Sequence, residues 1–225
     1  MTEYNKELPK YTKGEEIFNA VSHIVGGAFG IIALIAGLVV AYNHSDTYGI
    51  MSMVIYGISM ILLYTMSAIY HFLRRNKAKK VFRIFDHCTI FLLIAGTYTP
   101  YCLVTLREAG AWGWSIFSVV WSCAVLGIVF NAINMHNPII KTLSMICYLA
   151  MGWCVILALG PLLDNLALPG FIWLLIGGLM YTVGVIFYAF GSKKKYIHSV
   201  WHLFCLAGTI CQFISILLYV LMWFW

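Results

Sequence analysis

The sequence predicts an all-α membrane protein: a bundle of seven transmembrane helices with its N-terminus in the cytoplasm and its C-terminus outside. Three observations lead there. Apolar residues make up 62% of the chain and charged residues 10%, with a mean hydropathy of +0.89; soluble domains sit near 45–50% and about 25%. The apolar stretches run unbroken for about 20 residues, the length a helix needs to cross a bilayer. A barrel would instead alternate in polarity over segments of roughly ten residues. Finally, the basic residues fall almost wholly on alternate connections.

Residues 1–16 form a short polar tail in which Lys6, Lys10 and Lys13 stand against Glu3, Glu7, Glu15 and Glu16. The apolar run at 17–42 is too long for the core of a signal peptide and no small-residue cleavage site closes it, so it reads as the first span. Further runs occupy 49–73, 84–105, 112–133, 139–160, 169–190 and 198–222. The connections are short and no repeat is evident, which predicts a single transmembrane domain over 1–225.

Orientation follows from Lys and Arg. The tail carries Lys6, Lys10 and Lys13, and the second connection Arg74, Arg75, Lys77, Lys79, Lys80 and Arg83. The fourth carries Lys141, and the sixth Lys193, Lys194 and Lys195. Of the 14 basic residues only Arg107, beside Glu108, falls on the other side. The tail and the even-numbered connections are therefore expected inside and Trp225 outside. Trp112, Trp114 and Trp223 join Trp225 at the expected outer interface, where amphipathic rings settle. Topology accounts for the basic residues, so nucleic acid is not an expected partner; membrane lipids are.

The seven cysteines lie in apolar stretches without a CxxC pair and read as buried free thiols. Gly26, Gly30, Gly177 and Gly178 are expected to allow close helix approach. Pro100 is expected to kink or end the third span.

Ionisable groups within spans are costly and usually functional. Glu16, Asn19 and His23 are spaced i, i+3, i+7 on the first span, and Ser67 and His71 stand at i, i+4 on the second. Asp86 opens the third, and His198 and His202 stand at i, i+4 on the seventh. Under the predicted topology all four groups lie at one depth, in the cytoplasmic leaflet. Three imidazoles and a carboxylate at one level suit a divalent ion such as zinc, which accepts nitrogen donors and keeps a position for water when catalytic. The expected ligands are His71, His198 and His202. Asp86 would hold or deprotonate water, Ser67 would hydrogen-bond the same water or a substrate carbonyl, and Glu16, Asn19 and His23 would orient the ligands. A polar network that merely holds the bundle together is the rival. His44 and His136 read as loop residues. His87 is left outside the site, because it points about 100° around the helix from Asp86.

These residues resemble the motifs of the bacterial hemolysin III family, within the progestin and adipoQ receptor family and a wider superfamily that includes the alkaline ceramidases. The matches are ExxNxxxH at Glu16, Asn19 and His23, SxxxH at Ser67 and His71, the aspartate at Asp86, and HxxxH at His198 and His202. The resemblance implies zinc on His71, His198 and His202, with Asp86 acting through water. It implies a bacterial plasma-membrane protein that hydrolyses lipid-like amides or esters, with a role in membrane lipid homeostasis. The family name suggests a pore-forming cytolysin instead, and the receptor branch a sensor with structural zinc. Eukaryotic members often pair the aspartate with tyrosine where this chain has His87, and carry a longer N-terminal region, so the receptor role transfers less readily than the metal site.

Overall fold

A computed structural model of the chain describes residues 8–135, 137–191 and 194–222. The expectations placed on Glu3, Lys6, Glu7, His136, Lys193, Trp223 and Trp225 lie outside them. Seven helices are long and apolar enough to span a membrane: α1 (Lys13–His44), α2 (Thr47–Phe72), α3 (Lys77–Thr105), α4 (Trp112–Asn134), α5 (Pro138–Asn165), α6 (Leu168–Phe190) and α7 (Ile197–Leu221). No strand occurs among the described residues. With its apolar surface turned outward, this is a multi-pass integral membrane protein.

The spans are longer than their apolar cores because polar residues start them. At α1 the Thr12-x-x-Glu15 capping box sets the first turn, with the Thr12 amide donating to Glu15 Oε2 at 2.8 Å and the Glu15 amide to Thr12 Oγ1 at 3.3 Å. Asp46 caps α2, Asn76 caps α3, and Asn137 caps α5 just ahead of Pro138. Since α3 begins at Lys77, the cations Lys77, Lys79, Lys80 and Arg83 are helical rather than part of the connection, and Lys79 and Arg83 are buried.

Helix α1 turns a stripe of small residues inward, Ala20, Gly26, Gly30, Ala33, Gly37 and Ala41, while Ile17, Val21, Ile24, Ile31 and Ile35 face outward. The stripe admits α2 closely: the Tyr64 ring fills the space over Gly26 and Met53 that over Gly37. Gly177 does the same for α6 against Gln212 on α7, but nothing approaches Gly178, so close packing does not account for it. The most enclosed span is α3, with 78% of its central stretch buried against 17% for α5 and α6. It is the post around which the others stand.

The regular α-helix of α3 stops at Pro100, but the span itself continues to Thr105. The helix widens into a π turn over Tyr101–Thr105, closed by the Leu106 amide donating to the Tyr101 carbonyl at 2.8 Å. The break occurs in α5 instead, where helix gives way to a 3₁₀ segment at Cys154–Ala158. Here Tyr98 of α3 wedges in. Its hydroxyl donates to the Gly152 carbonyl and accepts from the Val155 amide, both at 2.9 Å. A side chain thereby replaces backbone bonds that lipid could not satisfy.

Candidate metal centre

His71 sits in the last turn of α2, and His198 and His202 in the first turns of α7, so antiparallel packing brings the three to one end of the bundle. They are 2%, 8% and 1% exposed. One nitrogen from each lies within 4.8 Å of the other two. The Nε2 atoms of His198 and His202 are 3.2 Å apart, close to the ~3.4 Å that bonds of about 2.0–2.1 Å set between two ligands of a tetrahedral ion. Among the described residues this is the compact donor set, and it could hold a metal ion.

The surrounding hydrogen bonds choose which nitrogen of each ring is free. Glu16 Oε2 lies 2.8 Å from His71 Nδ1, and Asn19 Nδ2 reaches the same atom at 3.5 Å. The carboxylate accepts a hydrogen bond from Nδ1–H, which leaves the lone pair on Nε2 and makes the Asn19 amide nitrogen a neighbour rather than a bonding partner of Nδ1. That Nε2 is buried and has no partner. On His202, Nδ1 is 3.2 Å from Ser22 Oγ, whose own proton goes to the Asn19 carbonyl at 3.0 Å. The Ser22 oxygen therefore accepts from Nδ1, and the lone pair of His202 falls on Nε2, facing His198. One orphaned lone pair on His71 beside two ring nitrogens 3.2 Å apart is an arrangement that a cation would satisfy.

Helix α1 supplies the residues in contact with these rings, Glu16, Asn19, Ser22 and His23. Asn19 also accepts from Ser199 Oγ at 2.6 Å, which ties α1 to the turn between the two α7 histidines. Glu15 accepts from the Tyr196 amide at 2.8 Å and fixes the start of α7. His23 acts differently from Glu16 and Asn19: it stacks on the His202 ring, centroids 3.6 Å apart, and meets Tyr64 edge-on, with both its nitrogens unpartnered.

Asp86 stands outside the donor set. With His198 it lines a cavity of about 270 Å³, and Ser67 and His87 flank its carboxylate. His87 also lines this cavity: its Nδ1 donates to the Arg83 carbonyl at 3.0 Å and lies 3.6 Å from Asp86 Oδ2, and its Nε2 is 3.0 Å from the Tyr188 hydroxyl.

Sequence reasoning also missed two residues. Lys79, read as a topology charge, is 1% exposed, with Nζ 2.7 Å from Glu16 Oε1 and donating to the carbonyls of His71 and Leu73. The spacing Lys79, Arg83, Asp86 puts it on the Asp86 face, a signal that was present. Tyr11, in the polar tail, stacks on His198 with centroids 5.0 Å apart; no local pattern announces it. Burial and the surrounding tyrosines push its phenol far above the ordinary 10.0, so it stays neutral.

An apolar crevice of about 120 Å³ runs from this end between α3, α5, α6 and α7, past Ile94, Tyr98, Leu174 and Trp201. It shares Met145 and Tyr188 with the polar cavity.

Known proteins place the chain. A family profile described as Haemolysin-III related matches residues 11–213. The chain is 42% identical to Hemolysin-3 of Bacillus cereus over 221 residues, covering 98% of each. It is 40% identical to the Hemolysin-3 homolog of Bacillus subtilis (strain 168), over 93% of this chain and 96% of that one. Similarity extends at 25% identity to the human Monocyte to macrophage differentiation factor, over 92% of this chain and 85% of the relative. With the matched segment running from the tail tyrosine through all three histidines, the chain belongs to the haemolysin-III-related family of membrane proteins.

Proposed function

We propose that this chain is a zinc-dependent hydrolase of lipid-like amides or esters, working in the cytoplasmic leaflet and serving membrane lipid homeostasis. One observation carries the reading: three buried imidazoles converge, His71 Nε2 among them without a partner, beside a polar cavity of about 270 Å³ walled by a carboxylate. A metal with only a structural role needs no such cavity. His71, His198 and His202 would hold the ion, which when bound supplies a Lewis acid that polarises a carbonyl and acidifies water.

The chain's own groups do the rest. Asp86 takes a proton from water in the cavity as the water oxygen bonds to the substrate carbonyl carbon, then returns it to the departing amine or alcohol as the C–N or C–O bond breaks. Ser67, next to Asp86, donates to the carbonyl oxygen as charge grows there. The apolar crevice accepts the chain of an amphiphile whose polar end reaches the cavity, with entry from the bilayer. The reading is tested with purified, zinc-loaded protein and amide- and ester-linked lipids. His202→Ala abolishes turnover and Asp86→Ala lowers it by about 10²-fold or more; equal turnover by wild type and His202→Ala rejects the proposal.

The relatives named Hemolysin-3 suggest a cytolysin instead. Against that, the ionisable side chains of the spans gather at one end, with only His44 and Asp164 at the other, which offers no charged path across. Lysis of liposomes by purified protein would reinstate it. A sensor with structural metal draws support from Tyr11, which seals His198. Metal-dependent thermal stability without turnover on any lipid would favour that reading.

A further inference from the structure

The three histidines are at most 8% exposed, so no ion reaches them from solution until something moves; a metal site needs an entry path. Most of the surroundings are ill suited to supply one. Glu16, Asn19, Ser22 and His23 belong to the regular helix of α1, and the histidines themselves to α2 and α7. Displacing any of these breaks backbone hydrogen bonds within a packed span. Residues 8–12 are different. They carry no helix or strand, and they cross over the donor set. Tyr11 lies on His198 with centroids 5.0 Å and planes 18° apart, and leans on His71 at 5.9 Å. Pro9 and Tyr11 also wall the polar cavity that His198 lines. Two anchors hold the segment. At one end the Arg75 guanidinium, from the connection between α2 and α3, donates to the Pro9 carbonyl at 2.6 Å and the Leu8 carbonyl at 2.9 Å. At the other, the capping box pins Thr12, and Glu15 fastens that turn to the Tyr196 amide at 2.8 Å. Arg75 is exposed, so water competes for its hydrogen bonds, and this end opens far more readily than a span unfolds.

We propose that residues 8–12 are a strap that gates the histidine cluster. The strap swings about the Thr12 cap, releases the Arg75 anchor and lifts Tyr11 off His198, so that a divalent ion enters or leaves from the aqueous side at this end of the bundle. The gate rests on the metal reading of the cluster and not on the hydrolase. A cover that closes over loaded and empty sites alike slows capture and release by the same factor. It therefore sets rates and leaves the dissociation constant in place.

The test follows zinc capture, and zinc release into excess chelator, by stopped flow on the full chain in detergent. Tyr11→Ala removes the stack, and Arg75→Ala removes the distant anchor without touching a donor. Each is expected to speed capture and release alike by about tenfold. The dissociation constant is expected to stay within about threefold of wild type. Arg75→Lys should fall between, because an ammonium lacks the fork that reaches both carbonyls. Metal-free protein gives a second readout: carbethoxylation of His198 by diethylpyrocarbonate, mapped by mass spectrometry, should accelerate in the same variants. Unchanged exchange rates in Tyr11→Ala overturn the strap. So does an affinity that falls by as much as release quickens, which would make Tyr11 a brace of the site and not its gate. Should Arg75→Ala fail to fold, Tyr11→Ala and Arg75→Lys still decide. A chain that binds no zinc rejects the metal reading, and the carbethoxylation order then decides by itself whether the strap controls access. Gated exchange without turnover of any lipid leaves the strap standing and rejects only the hydrolase.

Discussion

Glu16 crosses from α1 to hold His71 Nδ1 at 2.8 Å, and this one contact decides where the His71 lone pair points. Replacing the carboxylate by an amide keeps the shape but loses the charge that favours the Nδ1–H tautomer. Orienting partners of this kind typically contribute 10–100-fold to metal affinity. Glu16→Gln is therefore expected to weaken zinc binding by about tenfold, and Glu16→Ala by up to about 100-fold. His71→Ala removes a donor and goes further. Competition titration against a chromogenic chelator checks the order; wild-type affinity in Glu16→Ala would show that the contact does not orient a ligand.

Lys79 makes the same contact a three-way one, its amino group 2.7 Å from Glu16 Oε1 and hydrogen-bonded to the last carbonyls of α2. Removing one partner of a buried pair leaves the other uncompensated, at a cost of about 3–5 kcal/mol. Since Glu16 keeps 18% of its side chain exposed, the lower end applies. Lys79→Met should lower the melting temperature by several degrees. Adding Glu16→Gln should then cost less than its effect alone, because the stranded carboxylate is gone. Additive losses in this double-mutant cycle would mean that the two side chains are not coupled.

Much of this arrangement was legible in the sequence, for a physical reason. Span length is imposed by the bilayer itself, and the i, i+4 and i, i+3, i+7 spacings of His198/His202 and Glu16/Asn19/His23 are imposed by the helix. What stayed hidden depends on partners distant in the chain. The spacing of Lys79 from Asp86 gave its helix face, but its partner Glu16 lies on another helix and no local pattern names it. Tyr11 looked like tail because its partner lies on α7. His87 was set aside by a projection around one helix, which cannot show that residues of α5 and α6 close a cavity over it. The break in α5 was invisible for a similar reason: it depends on Tyr98, a residue of another helix.

That break gives a prediction independent of the metal. The Tyr98 hydroxyl bridges the Gly152 carbonyl and the Val155 amide, two backbone groups with no water to turn to. Tyr98→Phe leaves both unsatisfied at constant shape. Buried unsatisfied groups cost about 1–3 kcal/mol each in soluble proteins, while membrane hydrogen bonds measure nearer ~0.6–1.7 kcal/mol. A loss of about 1–3 kcal/mol is expected, with faster amide exchange around Gly152–Val155. Wild-type stability and exchange would mean that the 3₁₀ segment holds its own geometry.

At the opposite end of the bundle Asp46 caps α2 through the Tyr48 and Gly49 amides and also meets Arg107 Nη1 at 2.6 Å. Partial burial works to raise the Asp46 carboxyl. The Arg107 guanidinium and the two amides outweigh it and hold the carboxyl below its ordinary 3.8, and Arg107 is raised in turn. A carboxyl whose folded value lies below its unfolded one adds stability only while ionised. Its contribution is complete above about pH 3.8 and fades as the pH falls through the lowered value. The side chain is 47% exposed, so solvent screening limits the ion pair to about 0–1 kcal/mol. Asp46→Asn keeps a capping oxygen and loses only that pair; Asp46→Ala loses the cap as well, a further ~1 kcal/mol. Thermal melts at pH 7 should rank wild type, then Asn, then Ala. Between pH 5 and 3 the Asn variant should lose less stability than wild type. Parallel acid profiles would show that the carboxylate at this cap is not linked to folding.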